Sequence, residues 1–141
     1  MKDNTQPIPQ GKYVPARRHK DVVYTSGMTP RVAGELVFFG KIKADDLVSV
    51  HKEAIELATL NAINAAQSCL HDAEKISIIL QLNVFLNAES EFKQHAKMAD
   101  YASEILIERF GINCIGSRVA VGVASLPSNA TVEVSLTAAV A

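Results

Sequence analysis

Between Ser117 and Leu136 the chain reads SRVAVGVASLPSNATVEVSL, two runs rich in β-branched residues separated by Leu126-Pro127-Ser128-Asn129. Branched side chains suit the pleated surface of a sheet, and Pro, Ser and Asn between them signal a tight turn, so the stretch predicts two strands joined as a hairpin. Alternation along a strand sorts the side chains into two faces. One face carries Val119, Val121 and Val123 with Val132, Val134 and Leu136; the other carries Arg118, Ala120, Gly122, Thr131, Glu133 and Ser135. A solvent-facing strand surface is normally studded with long polar groups. The small-residue face therefore predicts a floor on which a second subunit or a ligand packs.

If Ser125 pairs with Ala130, Gly122 lies opposite Glu133 and Ala120 opposite Ser135. Arg118 is then about 13 Å from Gly122 along the strand, at 3.3–3.4 Å per residue. Arg118 and Glu133 would reach inward over the Ala/Gly floor and leave a gap of small-molecule size. The planar fork of an arginine suits a carboxylate, and a glutamate can hold or activate a water. A surface strand carrying one Arg and one Glu would show the same spacing, and spacing alone does not separate the two readings.

The rest of the chain must supply what covers such a sheet. With 141 residues and 48% hydrophobic content, it predicts a flexible arm over residues 1–10, interrupted by Pro7 and Pro9, and a single domain over 11–141. Arg17, Arg18, His19 and Lys20 read as a solvated basic loop. Val22–Ser26 and Leu36–Ile42 read as strands forming a first hairpin. Asp45-Asp46 opens a long helix whose apolar positions are Leu47, Val50, Ala54, Leu57, Ala58, Ala62, Ala65 and Cys69. Ile76–Leu86 reads as a central strand. A second helix falls within Ala88–Gly111, with Phe92, Ala96, Ala99, Ser103, Leu106 and Phe110 inward and Gly111 as its C-cap. The order ββαβαββ is an α+β domain with a mixed sheet and both helices on its valine face. The uncovered Ala/Gly face then predicts more than one copy, with the ligand gap at a subunit boundary.

Composition removes several functions. A net charge of −1, 6% aromatic residues and no Trp argue against nucleic acid as a partner. No apolar run reaches membrane-spanning length, and the polar opening with two distant cysteines, Cys69 and Cys114, predicts a cytoplasmic protein with reduced thiols. His19, His51, His71 and His95 are scattered without metal-ligand spacing, so no metal is expected. Neither a P-loop nor a G-x-G-x-x-G motif is present, so no nucleotide cofactor is expected.

Four places carry a resemblance: Gly11-Lys12-Tyr13; Tyr24-Thr25-Ser26-Gly27 with Pro30 and Gly34-Glu35; the Arg118 strand with Leu126-Pro127; and Val132-Glu133-Val134. Over most of residues 11–140 the chain resembles the RidA/YjgF family of enamine/imine deaminases. The resemblance implies a chorismate-mutase-like fold assembled as a homotrimer with a cleft between each pair of subunits. It also implies cofactor-free hydrolysis of 2-aminoacrylate-type enamines and imines to 2-keto acids and ammonia. Carried onto this chain, Arg118 would bind the substrate carboxylate and Glu133 would orient or activate water. Tyr13, Ser26, Gly27 and Ala120 would line the cleft. Ala120 stands where the deaminating branch often has cysteine, and the branch's second-helix asparagine has no counterpart near Lys97-Met98-Ala99. Two further readings follow: a non-catalytic binder of a 2-keto acid or similar carboxylate in the same cleft, and an endoribonuclease, against which the charge and the scattered histidines argue.

Overall fold

The computed structural model describes residues 6–141; residues 1–5 of the expected N-terminal arm lie outside the described part. Strands β1 (Ala16–His19) and β2 (Val22–Thr25) come first, then a small ribbon of β3 (Arg31–Val32) and β4 (Glu35–Leu36). Helix α1 (Lys52–Gln67), strand β5 (Ile76–Asn87), helix α2 (His95–Phe110), and strands β6 (Ser117–Val123) and β7 (Val132–Val140) complete the chain. The main sheet has the order β1-β2-β7-β5-β6, with β5 and β6 parallel and the other neighbours antiparallel. Setting the ribbon aside, the expected α+β order ββαβαββ and mixed sheet hold.

The expected hairpin at 117–136 does not form. β5, the longest strand at 12 residues, is inserted between β6 and β7. The loop that joins them crosses the end of β5 and is fastened there. Asn87, fully buried, donates through Nδ2 to Asn129 Oδ1 and to the Ala130 carbonyl, both at 3.0 Å. Lys41 Nζ donates to Asn87 Oδ1 at 3.0 Å and to the Ala124 carbonyl at 2.7 Å. Ser128 and Asn129 take positive φ of 57° and 60°, conformations that turn the chain sharply.

This insertion reverses the face of β6. Residues paired across a sheet share a face. The rows Arg118–Leu82–Leu136, Ala120–Val84–Val134 and Gly122–Leu86–Val132 therefore point one way. Leu82, Val84, Leu86, Val132, Val134 and Leu136 are buried beneath the helices. So the β7 valines sit where expected, whereas Arg118, Ala120 and Gly122 also face the helices. Val119 and Val121, 38% and 40% exposed, lie on the open face with Phe85 and Glu133.

Two other boundaries move. β2 pairs with β1 through a turn at Lys20 (φ 53°), not with Leu36–Ile42; of that stretch Leu36 belongs to the β3–β4 ribbon, and Phe39 and Ile42 make only isolated bridges on either side of Gly40 (φ 104°). α1 starts after a 3-10 turn over Val48–His51, leaving Leu47 and Val50 74% and 65% exposed. Ala54, Ile55, Ala58, Ala62, Ile63 and Ala66 form its buried stripe, small residues that let the helix lie close on the sheet. α2 buries Met98, Ala99, Ala102 and Leu106, while Phe92 is buried ahead of the helix. No helix among the described residues is long and apolar enough to cross a membrane.

The basic cluster belongs to β1 rather than to a loop. Arg18 forks onto Glu74, Nη1 to Oε1 at 2.6 Å and Nη2 to Oε2 at 2.8 Å, and its Nε donates to the Lys20 carbonyl at 2.7 Å. The pair ties the first hairpin to the α1–β5 connection, and hydrogen bonds from Arg18 and the His71 amide hold the Glu74 carboxyl down at about 2. A carboxylate depressed in the folded state stabilises it above the unfolded-state pKa and loses that contribution as pH falls through the folded value. Glu74→Gln should therefore lower the melting temperature at pH 7, and the difference from wild type should shrink from about pH 4.5 towards pH 2. Melting curves across that range check it; a constant difference would mean that the lost contact is not ionic.

Candidate functional site

Glu133 sits on the open face of β7, half buried, and its carboxyl lies directly over Gly27, where any Cβ would overlap it. Gly27 is brought there by the Met28–Val134 bridge, in which each amide donates to the other's carbonyl at 2.7 and 2.8 Å. Glycine here leaves room for the Glu133 side chain to lie close, and is not used for its dihedral freedom. Burial pushes the Glu133 proton affinity up, and among the described residues no charged group offsets it. Such a carboxyl can hold a proton closer to neutral pH than an exposed one, the condition a general acid–base needs.

Tyr13 reaches the same region from the N-terminal side. Ser26 anchors that approach: its Oγ donates to the Val14 carbonyl at 2.7 Å and its amide to the Pro15 carbonyl at 2.8 Å. Ser26 thereby fixes the segment that presents Tyr13, whose hydroxyl accepts from the Gln10 amide at 3.0 Å. Tyr13 and Gly27 share a cavity of about 130 Å³ with Met28, Thr29, Arg31 and Asn61. Arg31 and Asn61 did not stand out in the sequence, where Pro30 and Gly34 signalled only a loop. The fold commits both: Arg31 Nη1 donates to the Gly34 carbonyl at 2.8 Å, and Asn61 Nδ2 to the Arg31 carbonyl at 3.0 Å.

Arg118 stands apart from this group. It lies under α2, where Nη1 donates to Asp100 Oδ1 at 2.8 Å and to Ser103 Oγ at 3.0 Å, and Nη2 to the Ala96 carbonyl at 3.4 Å. Among the described residues Nε–H and the second Nη2 proton have no acceptor. Asp100 is 58% exposed, so this ion pair is of the solvated kind that contributes little and exchanges readily. Ala120, partly buried, is next to it on the same face of β6. The structure thus sets Glu133 against Gly27, puts Tyr13 in one cavity with Gly27, ties Ser26 to the segment that carries Tyr13, and separately aligns Arg118 and Ala120. Within one chain Arg118 and Glu133 occupy opposite faces of the sheet, not one shared floor. Among the described residues no cluster of three His, Cys, Asp or Glu side chains could hold a metal.

A family model described as "YjgF/chorismate_mutase-like, putative endoribonuclease" matches residues 7–140. The chain is similar to Protein TCP17 of Trypanosoma cruzi, at 32% identity over 118 residues, covering 77% of this chain and 73% of that protein. Among solved structures it is similar to a protein of unknown function from Agrobacterium tumefaciens, at 29% identity and TM-score 0.84, covering 95% of this chain and 86% of that one. It is also similar to a "putative endoribonuclease" from Shewanella oneidensis, at 30% identity and TM-score 0.81, covering 96% and 89%.

Proposed function

The chain belongs to the YjgF/chorismate mutase-like family, and on that premise we propose that it hydrolyses small 2-enamines and 2-imines of the 2-aminoacrylate type to 2-keto acids and ammonia. The observation that carries this reading is the half-buried Glu133 carboxyl seated over Gly27, with raised proton affinity and no charge partner. The imine tautomer of the substrate needs a water delivered to its electrophilic carbon and a proton removed from that water as the C–O bond forms. A carboxylate with elevated proton affinity does this near neutral pH. The substrate's own carboxylate needs a cation, and the available Arg118 donors supply a fork for it.

Because Glu133 and Arg118 lie on opposite faces, one small molecule can touch both only where two copies meet. β6 is an outer strand of the sheet, so its Arg118 can border a neighbouring copy. The open face, with Phe85, Val119, Val121 and the 51% exposed Tyr24, offers apolar surface for that contact. The assembly proposed is a homotrimer with a cleft at each junction, built from Tyr13, Gly27 and Glu133 of one copy and Arg118 and Ala120 of the next, and needing no cofactor.

The test generates 2-aminoacrylate in place with a dehydratase and times pyruvate release. Wild type should accelerate release, and Arg118→Ala should raise KM at least tenfold by removing the carboxylate fork, of order 1.5–3 kcal/mol for a charge-assisted hydrogen bond. If folded wild-type oligomer gives no acceleration, the reaction is not this one.

A further inference from the structure

We propose that His95 is a further catalytic residue, contacting substrate in the Arg118 half of the cleft and giving a proton to the departing amine nitrogen. The inference rests on the deaminase reading above. Along the helix-facing side of β6, Arg118, Ala120 and Gly122 stand in a row, its ends about 13 Å apart. The first turn of α2 lies over this row. The Ala96 carbonyl accepts from Arg118 Nη2 at 3.4 Å, and the preceding residue, His95, places Nε2 2.9 Å from where a Cβ on Gly122 would stand. The edge of its ring packs on Phe92, centroids 5.0 Å apart at 72°. His95 and Gly122 also line an open cleft of about 610 Å³ whose other charged groups are Lys41, Glu89 and Glu91. An imidazole is thus fixed at one end of a small-residue floor whose other end holds the guanidinium.

Imine hydrolysis needs two proton transfers at different atoms, and Glu133 covers only the one at the attacking water. As the C–O bond forms at the protonated imine, whose C=N electron pair moves onto nitrogen, Glu133 takes a proton from water and a neutral carbinolamine results. His95, protonated, passes its proton to the carbinolamine nitrogen, and the C–N bond breaks with its electron pair leaving on ammonia. The hydroxyl O–H pair becomes the new C=O, and that proton returns to His95. The proton held by Glu133 departs with ammonia as ammonium. Histidine is the side chain suited to give and regain a proton within one turnover near neutral pH.

Gly122 supplies the means of separating a catalytic imidazole from a structural one. Its backbone is not in the left-handed region, so alanine fits the strand, and its main conflict is with His95 Nε2. His95→Ala should lower kcat on the order of 100-fold with KM nearly unchanged, because the carboxylate anchor is elsewhere. Gly122→Ala should lower kcat in wild type and add nothing to His95→Ala, the non-additivity of two residues acting through one contact. In parallel, pyruvate is titrated into wild-type protein while the His95 ring resonances are followed by NMR, with Arg118→Ala as control. Turnover with an unaffected His95→Ala and unmoved ring resonances would overturn the inference and leave the deaminase reading standing. No turnover, with Arg118-dependent ring shifts, would overturn the reaction but keep His95 in the ligand site. Neither turnover nor shifts would overturn both.

Discussion

Glu133→Gln should yield a protein that resists unfolding at pH 7 better than wild type while losing on the order of 100- to 10,000-fold in kcat, the range for a general acid–base. The stability half follows from the direction of the shift. Burial raises the folded-state pKa of Glu133, so the folded chain binds this proton more tightly than the unfolded chain does. Its contribution is favourable at low pH and is lost as pH rises through the unfolded and then the folded value, leaving a half-buried charge above that window. Glutamine keeps the shape and removes the charge. The stability advantage of Glu133→Gln should therefore be largest at neutral and alkaline pH and shrink on acidification. Paired melting curves at several pH values and the pyruvate-release assay read the two halves separately. A variant that is both active and no more stable at pH 7 would mean that the Glu133 carboxyl is solvated and merely lies beside Gly27. Stability traded against activity at one atom is the signature of a group kept for chemistry.

Alternation was a reliable guide where a strand's neighbours did not matter. Val132, Val134 and Leu136 lie beneath the helices as their spacing indicates, and the alanines of α1 lie on the sheet. What alternation cannot carry is the identity of the partner strand. Val119 and Val121 share their period with β7, but their phase relative to the core is set by β5, whose paired residues Asn83 and Phe85 lie far earlier in the chain. The pins that hold the 124–130 loop across β5 are single polar contacts from Asn87 and Lys41, with no periodic signal at all. For the same reason Arg17–His19 read as a basic loop: Arg18 makes sense in a strand only once Glu74 is seen to neutralise it. Residue types in the site were legible, since Arg118, Glu133, Tyr13 and Gly27 stood in motifs. Their grouping was not. The contact of Glu133 with Gly27 depends on a bridge between Met28 and Val134, more than a hundred residues apart.

Mixing Arg118→Ala with Glu133→Ala should restore activity, read at substrate concentrations well below the raised KM of Arg118→Ala. If each cleft draws Glu133 from one copy and Arg118 from the next, a cleft is intact only where an Arg118→Ala chain contributes the glutamate and a Glu133→Ala chain contributes the arginine. With equal amounts and random assembly, two independent choices of one half each give roughly a quarter of wild-type activity. That fraction is the same for any closed ring with such head-to-tail junctions, so it reports the composition of the cleft and not the number of subunits. A cleft formed within one chain would give only the residual rates of the separate variants, because every chain in the mixture lacks one of the two groups. The complementary mixture, wild type with the Arg118→Ala/Glu133→Ala double variant, turns the comparison round. Shared clefts leave roughly a quarter of the sites intact there too, whereas clefts within single chains leave roughly half. Co-expression at equal levels, purification of all oligomers through one tag common to both chains and the pyruvate-release assay measure both fractions. No gain over the separate variants in the first mixture and a half in the second would place Arg118 and Glu133 in separate roles, leaving Arg118 to its contacts with α2 and Glu133 to whatever binds beside Gly27.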